Sequence, residues 1–138
     1  MTTAAVRPFS MRFLPTYVAA LGTMVALDAF WLNFSVDLFQ DALGAYLLPT
    51  PRIPVAVVFY LGYVALIVAL AVDRAGGTIA AAARRGAGLG LIGYGTYEFT
   101  NWSTVAAWTP KLVLFDTLWG MFVTACVAAM AQFVFSKR

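Results

Sequence analysis

Four stretches of this chain are each long and apolar enough to cross a bilayer, and no other feature restricts its fold so severely. A spanning helix needs about 20 mostly apolar residues. The first stretch runs from about Phe13 to Phe34, with Pro15 accommodated in its opening turn. The second, Ile53 to Val72, carries no charge. The third lies between about Gly86 and Trp108, and the fourth between about Pro110 and Phe135. Across the chain 62% of residues are hydrophobic and 11% charged, against roughly 45–50% and about 25% in soluble domains. A soluble domain of 138 residues cannot hide that much apolar surface, because a small fold leaves a large share of its area in water. A bilayer removes the conflict by taking the place of the solvent. The expectation is an all-α fold, a single four-helix transmembrane domain over residues 1–138 with spans at about 13–34, 53–72, 86–108 and 110–135.

Local chemistry marks several ends. Thr109-Pro110 and Thr50-Pro51 each read as an N-cap followed by a first helical position. The run Asp73-Arg74-Ala75-Gly76-Gly77 breaks the chain between the second and third spans. Phe13, Tyr17, Trp31 and Trp108 fall near the expected interfaces, where aromatic rings are favoured. The direction of insertion follows from Lys and Arg. Arg7, Arg12, Arg74, Arg84, Arg85, Lys137 and Arg138 fall on one side, and only Arg52 and Lys111 on the other. That bias places both termini in the cytoplasm of a multi-pass protein of a bacterial inner membrane. The first span is expected to be retained, because Asp28 and Trp31 stand where a signal peptide would carry small residues.

The first external loop, Ser35 to Thr50, repeats Val36, Phe39, Leu43, Tyr46 and Leu47 at helical spacing, with Asp37, Gln40 and Asp41 on another face. A short interfacial helix on the outer leaflet is the simpler reading, and a lid over a pocket the sharper one.

Several functions are excluded or left without support. Histidine is absent, which removes imidazole ligation of haem, most zinc sites and an imidazole base, so no cofactor is expected. The single Cys126 forms no intrachain disulfide and reads as a small core residue. The net charge of +3 is spread over ends and loops, as helix flanks require, and does not point to nucleic acid. The crowded Gly86-Ala-Gly-Leu-Gly90 lacks both the preceding strand and the Lys-Ser/Thr of a phosphate loop. Its four-residue spacing, shared by Gly22 with Ala26 and by Ala125 with Ala129, instead suits close approach of neighbouring helices.

Three of the six acids fall inside spans: Asp28, Glu98 and Asp116. Ionisable groups at such depth are costly and usually face a bundle interior or a wet cavity. With a rise of about 1.5 Å per residue, Asp28 and Asp116 each lie about 9 Å from the external end of their span, and Glu98 about 15 Å from Trp108. All three belong to the outer half of the bilayer, on three different helices. Tyr94, Tyr97, Glu98, Asn101 and Val105 share one stripe of the third span, with Thr100, Ser103 and Thr104 nearby. Tyr60 and Tyr63 of the second span reach the same layer, and Asp116 shares a face with Trp119, Gly120 and Val123. One reading is structural, since polar contacts between membrane helices contribute about 0.6 kcal/mol each on average. The other is a functional polar pocket, because no basic residue lies within a span to pair with the acids. The candidate ligand-binding residues are Asp28, Tyr60, Tyr63, Tyr94, Tyr97, Glu98, Asn101, Asp116 and Trp119, with no metal ligand and no catalytic group among them.

The run Tyr94-Gly-Thr-Tyr-Glu-Phe-Thr-Asn-Trp-Ser-Thr-Val105, then Trp108, then Phe115-Asp-Thr-Leu-Trp-Gly120 resembles the domain-of-unknown-function family 2177 of bacterial membrane proteins. Leu27-Asp-Ala-Phe-Trp-Leu32 and Phe59-Tyr-Leu-Gly-Tyr63 resemble other segments of that family. The resemblance covers nearly the whole chain, implies a four-helix membrane protein, and puts motif positions at Asp28, Glu98, Asn101 and Asp116. It implies no activity. Three functions stay open. The outer-half pocket could bind or move a small amphiphile or a lipid; the chain could be an accessory subunit whose helices pack against those of a larger membrane complex; or the acids could act in a lipid-modifying enzyme. Catalysis ranks last, since no activated serine, redox thiol or metal-ligand spacing accompanies the acids.

Overall fold

The computed structural model describes residues 9–137, and every regular element among them is helical. Helix α1 covers Phe9–Phe34, α2 Val36–Leu43, α3 Ile53–Ala71, α4 Ile79–Thr104 and α5 Pro110–Lys137, with a single 3-10 turn at Gly44–Tyr46 after α2. Three helices are long and apolar enough to cross a membrane: α1 from Met11, α3 and α5. Helix α4 is as long as α1 but carries Arg84, Arg85 and Glu98, which dilute its apolar character. Arg7 and Arg138, counted above for the direction of insertion, lie outside the described residues.

Helix α5 is the axis of the bundle, buried along one whole side from Leu112 to Phe135. Helix α4 lies antiparallel along it. Gly86 of α4 sits against Thr124 and Ala128, Gly90 against Gly120 and Met121, and Gly95 near Thr117. A Cβ on Gly90 would collide with the Gly120 carbonyl, and one on Gly120 with the Tyr94 side chain, so this crossing requires glycine on both helices. The spacing of Gly86 and Gly90 is thus used for close packing. That of Gly22 is not, for a Cβ there would meet nothing within 4 Å.

The other side of α5 receives α1, which also runs antiparallel to it: Arg12 lies over the Phe135 ring at one end, and Asp28 meets Trp119 towards the other. The core between α1, α3 and α5 is built from Ala20, Met24, Val64, Ile67, Val123 and Val127, all fully buried. At the end carrying the arginines the connection from α3 to α4 is tied down by side chains. The Gln132 amide accepts from the Asp73 N–H (2.7 Å) and donates to the Asp73 carbonyl (3.2 Å), while Arg85 Nε donates to the Ala71 carbonyl (2.9 Å). These bonds occupy backbone groups that the end of α3 leaves open. Gly76 turns the chain with a positive φ of 104°, and Thr78 caps α4 by accepting from the Ala81 N–H.

Some boundaries differ from expectation. Helix α4 starts seven residues before Gly86, at the Thr78 cap, and ends at Thr104, so Val105 lies beyond it and Trp108 sits in the turn leading to α5. Thr109 does cap α5, accepting from the Leu112 N–H at 3.3 Å. Thr50 does not cap α3, which begins two residues after Pro51 with Arg52 at the cap position and no side-chain cap bond.

Candidate functional site

The sequence spacing Asp-x-x-Trp occurs twice, as Asp28-Ala-Phe-Trp31 on α1 and Asp116-Thr-Leu-Trp119 on α5. Three residues along a helix bring the acid and the indole of each pair onto one face. Because the two helices are antiparallel, each indole meets the carboxyl of the other helix. Trp31 Nε1 donates to Asp116 Oδ1 at 3.0 Å, and Trp119 Nε1 donates to Asp28 Oδ1 at 2.9 Å. Between the two bonds the indole rings lie nearly parallel, with centroids 4.8 Å apart and planes 5° from parallel. All four side chains are buried. The result is a reciprocal clasp whose halves are equivalent.

A third indole serves the third acid. Trp108 Nε1 donates to Glu98 Oε2 at 2.7 Å, across the turn that joins α4 to α5. Trp108 is itself covered by α2: Leu43 packs with Trp108, Leu112 and Val113 in a separate apolar cluster, with Leu38 and Phe39 at its edge. The short helix therefore covers the acid layer at the end where α4 turns into α5. Glu98 is 0% exposed, and its second oxygen, Oε1, has no partner. Its carboxyl neighbours that of Asp116. Ionised carboxyls only accept, so a bond between these two requires one proton held by the pair. Tyr60 stands beside Asp28, and the Tyr63 hydroxyl is paired with Thr124 Oγ1 at 2.9 Å.

Next to this layer a cavity of about 520 Å³ opens between α3 and α4. Phe59, Tyr63 and Leu66 form one wall, Gly93, Tyr94 and Tyr97 the other, and Asp116 of α5 lies behind them. Gly93 gives room for the Tyr63 ring, whose hydroxyl would lie 3.4 Å from a Cβ at that position. The Tyr97 ring stands edge-on to Trp108, with centroids 5.6 Å apart. Apart from Asp116 the walls present mainly aromatic and aliphatic carbon.

The expected residues thus fall into separate groups. Tyr63, Tyr94, Tyr97 and Asp116 line the cavity. Asp28, Glu98 and Trp119 form the buried layer beside it, with Tyr60 next to Asp28. Asn101 joins neither group: its amide donates to the Tyr97 carbonyl of its own helix at 3.0 Å. Ser103 and Thr104 likewise bond back to the Thr100 carbonyl. Trp31 and Trp108, read from the sequence as interfacial rings, are instead buried donors to the acids. The signal that could have revealed Trp31 is the repeated spacing of acid and tryptophan.

The family described as "Predicted membrane protein (DUF2177)" matches residues 13–133. The chain belongs to this family. The match takes in all nine candidate residues of this DUF2177 protein, the clasp and both walls of the cavity. No curated protein and no solved structure matches the chain.

Proposed function

We propose that this DUF2177 protein crosses a bacterial inner membrane four times with both termini in the cytoplasm, and receives a small amphiphile or lipid through the opening between α3 and α4. The fourth crossing is α4, supported by its antiparallel packing along α5 from Gly86 to Gly95, which gives it the depth of an apolar spanning helix. The uneven distribution of Lys and Arg supports the orientation, and α2 then lies at the outer surface above Trp108. The observation that carries the binding reading is a cavity of about 520 Å³ with aromatic walls and one carboxyl. Small-molecule sites typically measure about 300–1,000 Å³ and combine apolar walls with a few polar groups. The apolar part of the ligand lies along Phe59, Tyr63 and Leu66, and its head meets Asp116.

A fatty alcohol carrying a diazirine, incorporated in proteoliposomes and photoactivated, tests this reading. Label is expected on the segments 59–66 and 93–97, and Gly93→Leu, which fills the cavity beside Tyr63, should remove most of it. Label spread evenly over exposed side chains such as Phe30, Ile92 and Leu118 would mean bulk lipid contact and no site. A second reading, an accessory subunit of a membrane complex, is supported by the exposed groove between α4 and α5 lined by Leu91, Phe99, Trp102, Leu114 and Leu118. Copurification of a stoichiometric partner in mild detergent supports it, and a clean monomer counts against it.

A further inference from the structure

Resting on the binding reading above, we propose that the amphiphile received between α3 and α4 has a positively charged head, a protonated amine or a quaternary ammonium. Three independent features favour that charge. The polar group at the back of the cavity is a carboxyl, Asp116, with one oxygen already accepting from Trp31. Beside it lies Glu98, 0% exposed, with Oε1 unpartnered. With one proton held between them the two carboxyls keep a negative charge, and among the described residues neither has a cationic partner. Along α4 the nearest basic residue is Arg85, thirteen residues and about 20 Å from Glu98. Lys111 on α5 is exposed and, five residues from Asp116, lies on a different face. A buried charge left unpaired is strongly disfavoured, so the pocket gains most from a ligand that brings the opposite sign.

The walls point the same way. Phe59, Tyr63, Tyr94 and Tyr97 surround the approach to Asp116, and aromatic faces attract cations, most strongly where water is excluded. A neutral hydroxyl head would gain a single hydrogen bond. A carboxylate or phosphate head would meet like charge.

The test uses the full chain in dodecyl maltoside, a neutral detergent without an amine, with three tritiated probes of equal chain length: decyltrimethylammonium, decanol and decanoate. The wild type should retain decyltrimethylammonium at least tenfold more tightly than decanol, and decanoate least of all. Asp116→Asn should lower the advantage of the cation over decanol at least threefold, because the remaining charge then sits on Glu98 behind the cavity, while the Asn amide oxygen still accepts from Trp31 and keeps the clasp. Where that variant elutes as aggregate, the wild-type ratio of cation to decanol, and its loss in Gly93→Leu, decide the assignment. Gly93→Leu should weaken both probes. Equal retention of the cation and the alcohol, with both lost in Gly93→Leu, overturns the charge assignment and leaves the cavity reading intact. Retention of all three that ignores Gly93→Leu overturns both.

Discussion

Replacing Trp119 by Phe separates the hydrogen bond of the clasp from its stacking. The six-membered ring still faces Trp31, but the N–H that reaches Asp28 Oδ1 at 2.9 Å is gone. Asp28 is only 7% exposed, so water has little access to take the place of the indole. A buried acceptor left unpaired costs about 1–3 kcal/mol, whereas polar contacts between membrane helices average about 0.6 kcal/mol. The burial of Asp28 favours the higher range, and Trp119→Phe should therefore cost about 1–3 kcal/mol. Asp28→Leu removes the acceptor instead, and the double variant removes both partners without leaving either exposed to the core. Unfolding in maltoside by added dodecyl sulfate, followed by helical circular dichroism, gives the four free energies of a double-mutant cycle. The coupling should exceed about 1 kcal/mol. A parallel cycle with Trp31→Phe and Asp116→Leu probes the other half, whose bond measures 3.0 Å. Coupling at or below about 0.6 kcal/mol in both cycles would refute the reasoning, because the acids would then be satisfied without the indoles.

Two further outcomes follow from the packing and the topology. Gly90→Ala should destabilise the bundle by about 1–3 kcal/mol, since the new methyl would lie 2.8 Å from the Met121 Cα, while Gly88→Ala, with nothing within 4 Å, should be neutral or gain up to about 1 kcal/mol from helix propensity; equal melting temperatures for the two variants would contradict the α4–α5 packing. In a Cys126→Ala background, a membrane-impermeant maleimide should label Asp41→Cys in intact cells and Ala75→Cys only after permeabilisation, and the reverse pattern would invert the orientation.

How much of this was legible in the sequence depends on which force set each feature. The apolar runs located α3 and α5 to within one or two residues, because desolvation of the segment alone decides them. Helix α4 was placed less well. Its first turns include Arg84 and Arg85, which look like loop, yet Arg85 lays its stem along the bundle and bonds the end of α3. Its last turn stops early because the chain folds back so that Trp108 can reach Glu98, a tertiary bond that no periodicity announces. Among the site residues, spacing put Glu98, Tyr94 and Tyr97 on one stripe, and they do share a region. It also put Asn101 there, whose amide found a nearer acceptor in its own backbone. The acids were identified by their cost in a membrane. Trp119 was grouped with them, but Trp31 and Trp108 were not, because tryptophan in such a chain is first read as an interfacial ring.

The clasp also explains how α1 influences a cavity to which it contributes no wall. Sliding α1 by one turn, about 5.4 Å, along α5 would break both indole bonds at once and set both carboxyls against hydrocarbon. Apolar packing between such helices tolerates several registers at similar energy; a reciprocal pair of directional bonds does not. Asp116 is thereby fixed in depth from the α1 side by Trp31, and from the α4 side by its neighbour Glu98, which Trp108 and the cover of α2 hold in turn. Helix α3 supplies none of the three acids or indoles, and meets this network through Tyr60 beside Asp28 and the Tyr63–Thr124 pair. It is also the helix that forms the outer wall of the cavity, with Phe59, Tyr63 and Leu66 facing Gly93 and Tyr97. The bundle thus combines a polar frame of α1, α4 and α5 that holds one carboxyl still with an α3 that walls the cavity proposed to receive a ligand.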